Sequence, residues 1–213
     1  METTGIGNKE LHMTYEPGQV KNIFPYIDFK PGWFILGGPA DANEAQVFHE
    51  RYPEAKILGI EPNKEAFEYQ QNAGFPGTLL PYALGPACGV AFFHPNTIRS
   101  GWIDKELGSS NYEVEMVTLD SLDQKYGPFQ NTVMWLDIDG EDQEIGVLRA
   151  ATSLHYVKLM NIEVIEDRHG QTTKFDRFVS LLSQRGFRYA GDWNCGVLSA
   201  AGRYRRDTIW KAI

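Results

Sequence analysis

The chain has 213 residues, of which 42% are hydrophobic, 23% charged and 13% aromatic, and its formal net charge is −8. That composition excludes a disordered chain, because enough apolar surface is available to offset the entropy of ordering. The acidic balance argues against nucleic acid as the main partner. No apolar run reaches the ~18 residues a membrane helix needs, and Met1–Lys9 lacks the basic start and apolar stretch of a secretory signal. Two cysteines, Cys88 and Cys195, are too few for a disulfide framework or a multi-cysteine metal site. A reducing, cytoplasmic compartment is expected.

In chain order, residues 1–30 read as an arm or short helix, polar with scattered aromatics and punctuated by Pro17-Gly18 and Pro31-Gly32. A domain spanning 31–213 then begins with the apolar run Trp33–Leu36, closed by Gly37-Gly38. Asp41–Tyr52 carries apolar residues at helical spacing and stops at Pro53. Lys56–Ile60 is a second apolar run, ended by Glu61-Pro62, and Asn63 is placed to cap a helix over 64–72. Thr78–Leu84 is a third run. Val90–His94 and the alternating Tyr112–Val117 predict further strands, with a 17-residue loop between them. A short helix is predicted over 119–126, a strand over 132–136 ending in Asp137-Ile138-Asp139-Gly140, and a helix from about Glu141 to Leu154. Val157–Ile165, an amphipathic helix over 174–185, a short strand at Phe187–Tyr189, a polar loop and the strand Asp207–Ile213 complete the chain.

Apolar strands alternating with helices predict an α/β, doubly wound, seven-stranded and mostly parallel sheet. A last strand reached without a crossover helix is expected to lie antiparallel. In such a sheet, ligands bind beyond the carboxyl ends of the strands. Those ends carry Gly37-Gly38-Pro39-Ala40-Asp41, Glu61, Asp137 with Asp139, and Glu163. A glycine turn lets backbone approach a ligand closely, and an acid at the second strand end can accept from both hydroxyls of a ribose. G-x-G-x-x-G is absent, which argues against NAD and flavin, and no phosphate-binding G-x-x-x-x-G-K-[ST] occurs.

The stretches Ile60–Asn63, Tyr82–Gly85, Val117–Leu122, Leu136–Asp142, Ile162–Val164 and Asp207–Lys211, in this order and spacing, resemble the FkbM-type methyltransferases of the class I, S-adenosylmethionine-dependent fold. The resemblance spans roughly residues 33–213. It implies S-adenosylmethionine as cofactor and a hydroxyl on a sugar or natural-product-like small molecule as methyl acceptor. It further implies that Glu61 binds the ribose, that Gly37 and Gly38 pass the methionine moiety, that Ala83 and Leu84 present backbone to the adenine, and that Asp137 lies beside the sulfonium. The family's acid and second glycine at the first turn are replaced here by Leu36 and Ala42, leaving Asp41 and Asn43 as candidate substitutes. That degenerate turn also admits a catalytically inactive binding or scaffolding domain on the same fold.

A neutral hydroxyl acceptor needs a proton acceptor. The candidates are Asp139, Glu163 and His94. Asp137, Asp139 and Glu163 also raise the alternative of a divalent metal activating a vicinal diol, which the resemblance does not require. Charge is uneven: residues 106–167 hold 13 acidic and 3 basic side chains, and residues 168–213 hold 9 basic and 3 acidic. The basic tail around Arg203, Arg205 and Arg206 therefore follows an acidic stretch.

Overall fold

The computed structural model describes residues 18–39, 43–97, 100–104, 111–138, 143–167, 174–197 and 203–213. Its centre is β1 (Trp33–Gly37), flanked by β2 (Lys56–Ile60) and β8 (Thr132–Leu136), each parallel to it. Every residue of β1 and β8 is buried, as expected of central strands covered on both faces. β3 (Thr78–Leu80) extends the sheet beyond β2. β9 (Val157–Asp167), β11 (Arg203–Ala212) and β10 (Phe187–Val197) extend it beyond β8. The order is β10-β11-β9-β8-β1-β2-β3, and β11 runs antiparallel to both its neighbours. This is the mostly parallel seven-stranded sheet that the alternation of strands and helices implied.

Alternation along the strands divides the core. One face gathers Ile35, Leu58, Met134, Met160 and Ile162 against α3 (Leu119–Tyr126), α4 (Gln143–Ala150) and α5 (Lys174–Gln184). The other gathers Phe34, Leu36, Val133, Trp135, Leu159 and Ile209 against α1 (Asn43–Arg51) and the 3-10 helix Gln19–Tyr26. The expected arm is thus, within the described residues, a helical turn whose Val20 and Ile23 are fully buried. α2 (Lys64–Asn72) begins at Asn63, whose side chain accepts from the Glu65 and Ala66 amides as its sequence position required.

Three expectations need correction. The single strand expected over Thr78–Leu84 is two. Pro81, with no N–H to give a ladder, separates β3 from β4 (Tyr82–Leu84), which joins a second sheet of order β4-β7-β5-β6. In that sheet β7 (Tyr112–Val117) lies between β4 and β5 (Gly89–Thr97). The stretch expected as a long loop contains β6 (Ser100–Asp104), paired antiparallel with β5. A five-residue edge strand containing serine and glycine carries little strand signal. Finally, the polar loop expected after Tyr189 is largely a continuation of β10, and β11 starts four residues before Asp207. Two register irregularities, at Tyr189/Gly191 and Trp193/Gly196, break the alternation that would have marked β10.

The Val117–Leu122 stretch has a structural purpose. Thr118 and Ser121 cap the start of α3 reciprocally, through Ser121 N–H to Thr118 Oγ1 (3.0 Å) and Thr118 N–H to Ser121 Oγ (3.1 Å). Asp120 turns away to the loop after α4. It accepts from the Thr152 amide (2.9 Å), the Thr152 hydroxyl (2.7 Å) and the Ser153 amide (2.8 Å). Burial alone would raise its pKa, but these donors from Thr152 and Ser153 prevail and hold it at about 2, below the ordinary 3.8. A carboxylate with a depressed folded-state pKa stabilises the fold above its unfolded pKa, and that contribution is lost as pH falls through the folded value. Asp120→Asn should therefore lower unfolding free energy by about 1–2 kcal/mol at pH 7, allowing for partial solvent screening. The difference from wild type should shrink between about pH 4 and pH 2, read by urea titration at each pH.

Candidate cofactor site at the carboxyl edge

β1, β2 and β8 run in step: Gly37 lies opposite Ile60 on one side and Leu136 on the other. The three chains therefore leave the sheet together. Gly38 donates its N–H to the Ile60 carbonyl (3.0 Å), and Asp137 donates its N–H to the Gly37 carbonyl (3.0 Å). Gly38 sits at φ 74°, and a Cβ there would run into the Asp137 carbonyl oxygen. A Cβ at Gly37 would stand 3.0 Å from Ile138 Cγ2 and 3.3 Å from Leu84 Cδ2. The turn after β1, the exit of β8 and buried Leu84 of β4 thus meet at one point, with buried Ala83 next to it in β4.

Glu61 continues from β2 and is 5% exposed. Its N–H donates to the Leu80 carbonyl (2.9 Å), and its Oε1 accepts the Asn63 N–H (2.8 Å). An acid is favoured here by the partial positive charge at the start of α2. The turn that carries it is clamped from the second sheet by Tyr112. That hydroxyl donates to the Pro62 carbonyl (3.2 Å) and accepts the Lys64 N–H (3.0 Å), while the Lys64 ammonium lies 4.4 Å from the ring centre. Burial pushes the Tyr112 phenol up; the Lys64 amide opposes this, and the charges of Glu61 and Glu65 add to the rise. Tyr112 is not marked by any motif in the sequence. Its only signal was its place at the head of an alternating strand.

The structure brings two further acids to this edge. Asp137, partly exposed, lies 4.0 Å from Nη2 of Arg205 on β11. Glu163, 4% exposed on β9, lies 2.5 Å from Arg205 Nε, and buried Asp207 lies 3.6 Å from the same nitrogen. The cation among these carboxylates is therefore a guanidinium. Among the described residues, no group of three or more His, Cys, Asp and Glu is arranged to hold a metal ion. His94, half-buried on β5, is hydrogen-bonded through Nδ1 to the Asn111 side chain. Its neighbour Phe93 packs 5.5 Å from the Tyr112 ring. Asn43 is the first residue of α1. Asp41 and Asp139 lie outside the described residues. Leu36, which replaces the family's acid, is fully buried in the apolar core beside Phe34 and Trp135.

A seven-stranded sheet with one reversed strand, and a glycine turn facing acidic strand ends, define a class I methyltransferase fold. The domain described as "Methyltransferase FkbM domain" matches residues 37–189, and the chain belongs to that family. No curated protein matches the chain. Among solved structures, the N-terminal domain of EvdMO1 with S-adenosylhomocysteine bound superposes with a TM-score of 0.54 at 8% identity, covering 94% of this chain and 82% of that one. M. capricolum TrmK, in complex with S-adenosylhomocysteine, gives 0.51 at 6% identity, covering 91% and 67%. A TehB-like S-adenosylmethionine-dependent methyltransferase from Corynebacterium glutamicum gives 0.50 at 9% identity, covering 91% and 87%. No helix among the described residues is long and apolar enough to cross a membrane.

Two glycines separate backbone strain from steric exclusion. Gly74, at φ 78°, faces open space, whereas Gly38, at φ 74°, faces the Asp137 carbonyl. Gly74→Ala should cost about 1 kcal/mol, the left-handed conformational penalty alone. Gly38→Ala should cost at least twice as much, because β8 must also move. Parallel denaturant titrations of the two variants check this.

Proposed function

We propose that the chain is an S-adenosylmethionine-dependent O-methyltransferase acting on a hydroxyl of a sugar or natural-product-like small molecule. The observation that carries the cofactor reading is the meeting of Gly37, Gly38, Glu61, Leu84 and Asp137 at the carboxyl ends of β1, β2, β4 and β8. S-adenosylmethionine, when bound, supplies a methyl group on a sulfonium, ready for in-line displacement. The residues present fit such a group. Glu61 offers a carboxylate, anchored by Asn63, for a ribose diol. The Gly37-Gly38 turn presents backbone without side chains, and β4 presents the buried Ala83-Leu84 segment for an adenine. Asp137 supplies negative charge for a sulfonium. That charge holds the cofactor in place more than it speeds transfer, since the cation is lost as the methyl leaves. Alignment of acceptor oxygen and methyl is the main demand on the site.

The acceptor hydroxyl must also give up its proton. Glu163 lies against Arg205, so we assign it a positioning part and propose Asp139 or His94 as the base. Asn43 and Asp41, at the start of α1 and just before it, are proposed to contact the methionine moiety in place of the acid replaced by Leu36. A second reading, an inactive binding domain on the same fold, is favoured by one observation: Leu36 is sealed in the core and offers no polar group to the cofactor.

Calorimetric titration with S-adenosylhomocysteine tests the first reading directly. Wild type should bind. Glu61→Ala should raise the dissociation constant roughly 10- to 150-fold, the worth of about 1.5–3 kcal/mol in hydrogen bonds to a charged group. An unchanged constant in a folded variant would take Glu61 out of the site.

A further inference from the structure

Strands β11 and β9 and the exit of β8 bring charged side chains toward one another at one face of the sheet. In the β11–β9 register, Asp207 lies opposite Glu163, and Arg205 lies opposite Ile165, one side-chain repeat nearer the carboxyl edge. From there the guanidinium spans β9. Its Nε meets Glu163 (2.5 Å) and Asp207 (3.6 Å), and its Nη2 faces Asp137 beyond β8 (4.0 Å). The chain of contacts continues behind Asp207. Asn161 donates to Asp207 Oδ1 (3.4 Å), and Trp193 of β10 donates to Asn161 Oδ1 (2.9 Å).

Burying Glu163 and Asp207 carries a desolvation cost that only a close cation offsets. A lysine would supply the charge at a single point. The planar guanidinium of an arginine presents its nitrogens in different directions, and here Nε lies against Glu163 and Asp207 while Nη2 faces Asp137. The backbone of Asp137 is already fixed by its approach to Gly38 and its hydrogen bond to Gly37. Its carboxylate faces the Arg205 guanidinium across 4.0 Å.

We propose that Arg205 is a positioning residue. It holds the Asp137 carboxylate in the orientation that receives the cofactor, and so makes the β10–β11 hairpin part of the site. The proposal rests on the cofactor reading above. It differs from a merely structural ion pair in one respect: the effect of Arg205 on binding must pass through Asp137.

A double-mutant cycle measures that dependence. S-adenosylhomocysteine is titrated into wild type, Arg205→Met, Asp137→Asn and the double variant, each checked for folding by circular dichroism. Each single change should weaken binding by about tenfold, and the double variant should be no weaker than either single one within about twofold. Arg205→Met takes the guanidinium away from buried Glu163 and Asp207. Should it fail to fold, Arg205→Lys, which keeps the charge and loses the fork, takes its place in the same cycle. Losses that multiply to about a hundredfold overturn the positioning role while leaving the cofactor reading intact. A single Arg205 variant that binds as wild type overturns it as well. Wild type that fails to bind removes the cofactor reading and this proposal with it.

Discussion

The close approach of Asp137-Ile138 to Gly37-Gly38 governs the carboxyl edge of the sheet. Two backbone hydrogen bonds, Gly38 to Ile60 and Asp137 to Gly37, lock the exits of β1, β2 and β8 together. Space for that lock depends on Gly38 above all, since a Cβ at Gly37 would crowd only the side chains of Ile138, Leu136 and Leu84. The requirement is internal to the protein: the atom a Cβ at Gly38 would strike is a backbone carbonyl. A glycine pair after a first strand therefore reflects strand packing before it reflects any ligand. Glu61 and Asp137 come to the same edge of the sheet as a consequence, since each follows directly on one of the locked strands.

This explains which parts of the site were legible in the sequence. Strand ends in a parallel sheet share an edge, so Glu61, Asp137 and Glu163 could be placed by counting apolar runs. The shape of the sheet followed from the same runs, because β1, β2 and β8 are apolar on both faces and β9 on one, and each carries a strong signal. The second sheet was harder to read. β4 is three residues long and β6 five, and neither repeats a pattern long enough to stand out. β10 hides for a different reason: its irregular register interrupts the alternation of inward and outward side chains.

Arg205 illustrates a limit of another kind. It could be seen as part of a basic tail, and three acids could be seen at strand ends, but their meeting depends on β11 lying between β9 and β10 in reverse direction. Local pattern does not contain that insertion. Once β11 is in place, the antiparallel register fixes Asp207 opposite Glu163, and alternation puts Arg205 on the same side as both. The acidic stretch and the basic tail are then two halves of one electrostatic arrangement, and a carboxylate cluster that raised the idea of a metal is partly neutralised by the chain itself.

That arrangement also accounts for the segment before the first strand. The face bearing Arg205 and Asp207 is covered near its centre by α1 and by the turn Gln19–Tyr26, where Phe24 packs against Phe48 and Tyr52 with ring centres 6.1 and 5.7 Å apart. The same segment reaches the hairpin: a Cβ at Gly191 of β10 would stand 2.8 Å from the Tyr26 hydroxyl, and Asp28 pairs with Lys211 of β11 at 2.6 Å. The Lys211 hydrogen bond holds the exposed Asp28 carboxyl below its ordinary pKa, but a pair this open to water adds little to stability. The larger effect is geometric. A turn packed on α1 at one end and on the hairpin at the other restricts how far β10 and β11 can move relative to the central strands. Buried polar contacts tolerate little displacement before their groups go unpaired, so the contacts from Trp193 through Asn161, Asp207 and Arg205 need a hairpin held from outside the sheet as well as from within it.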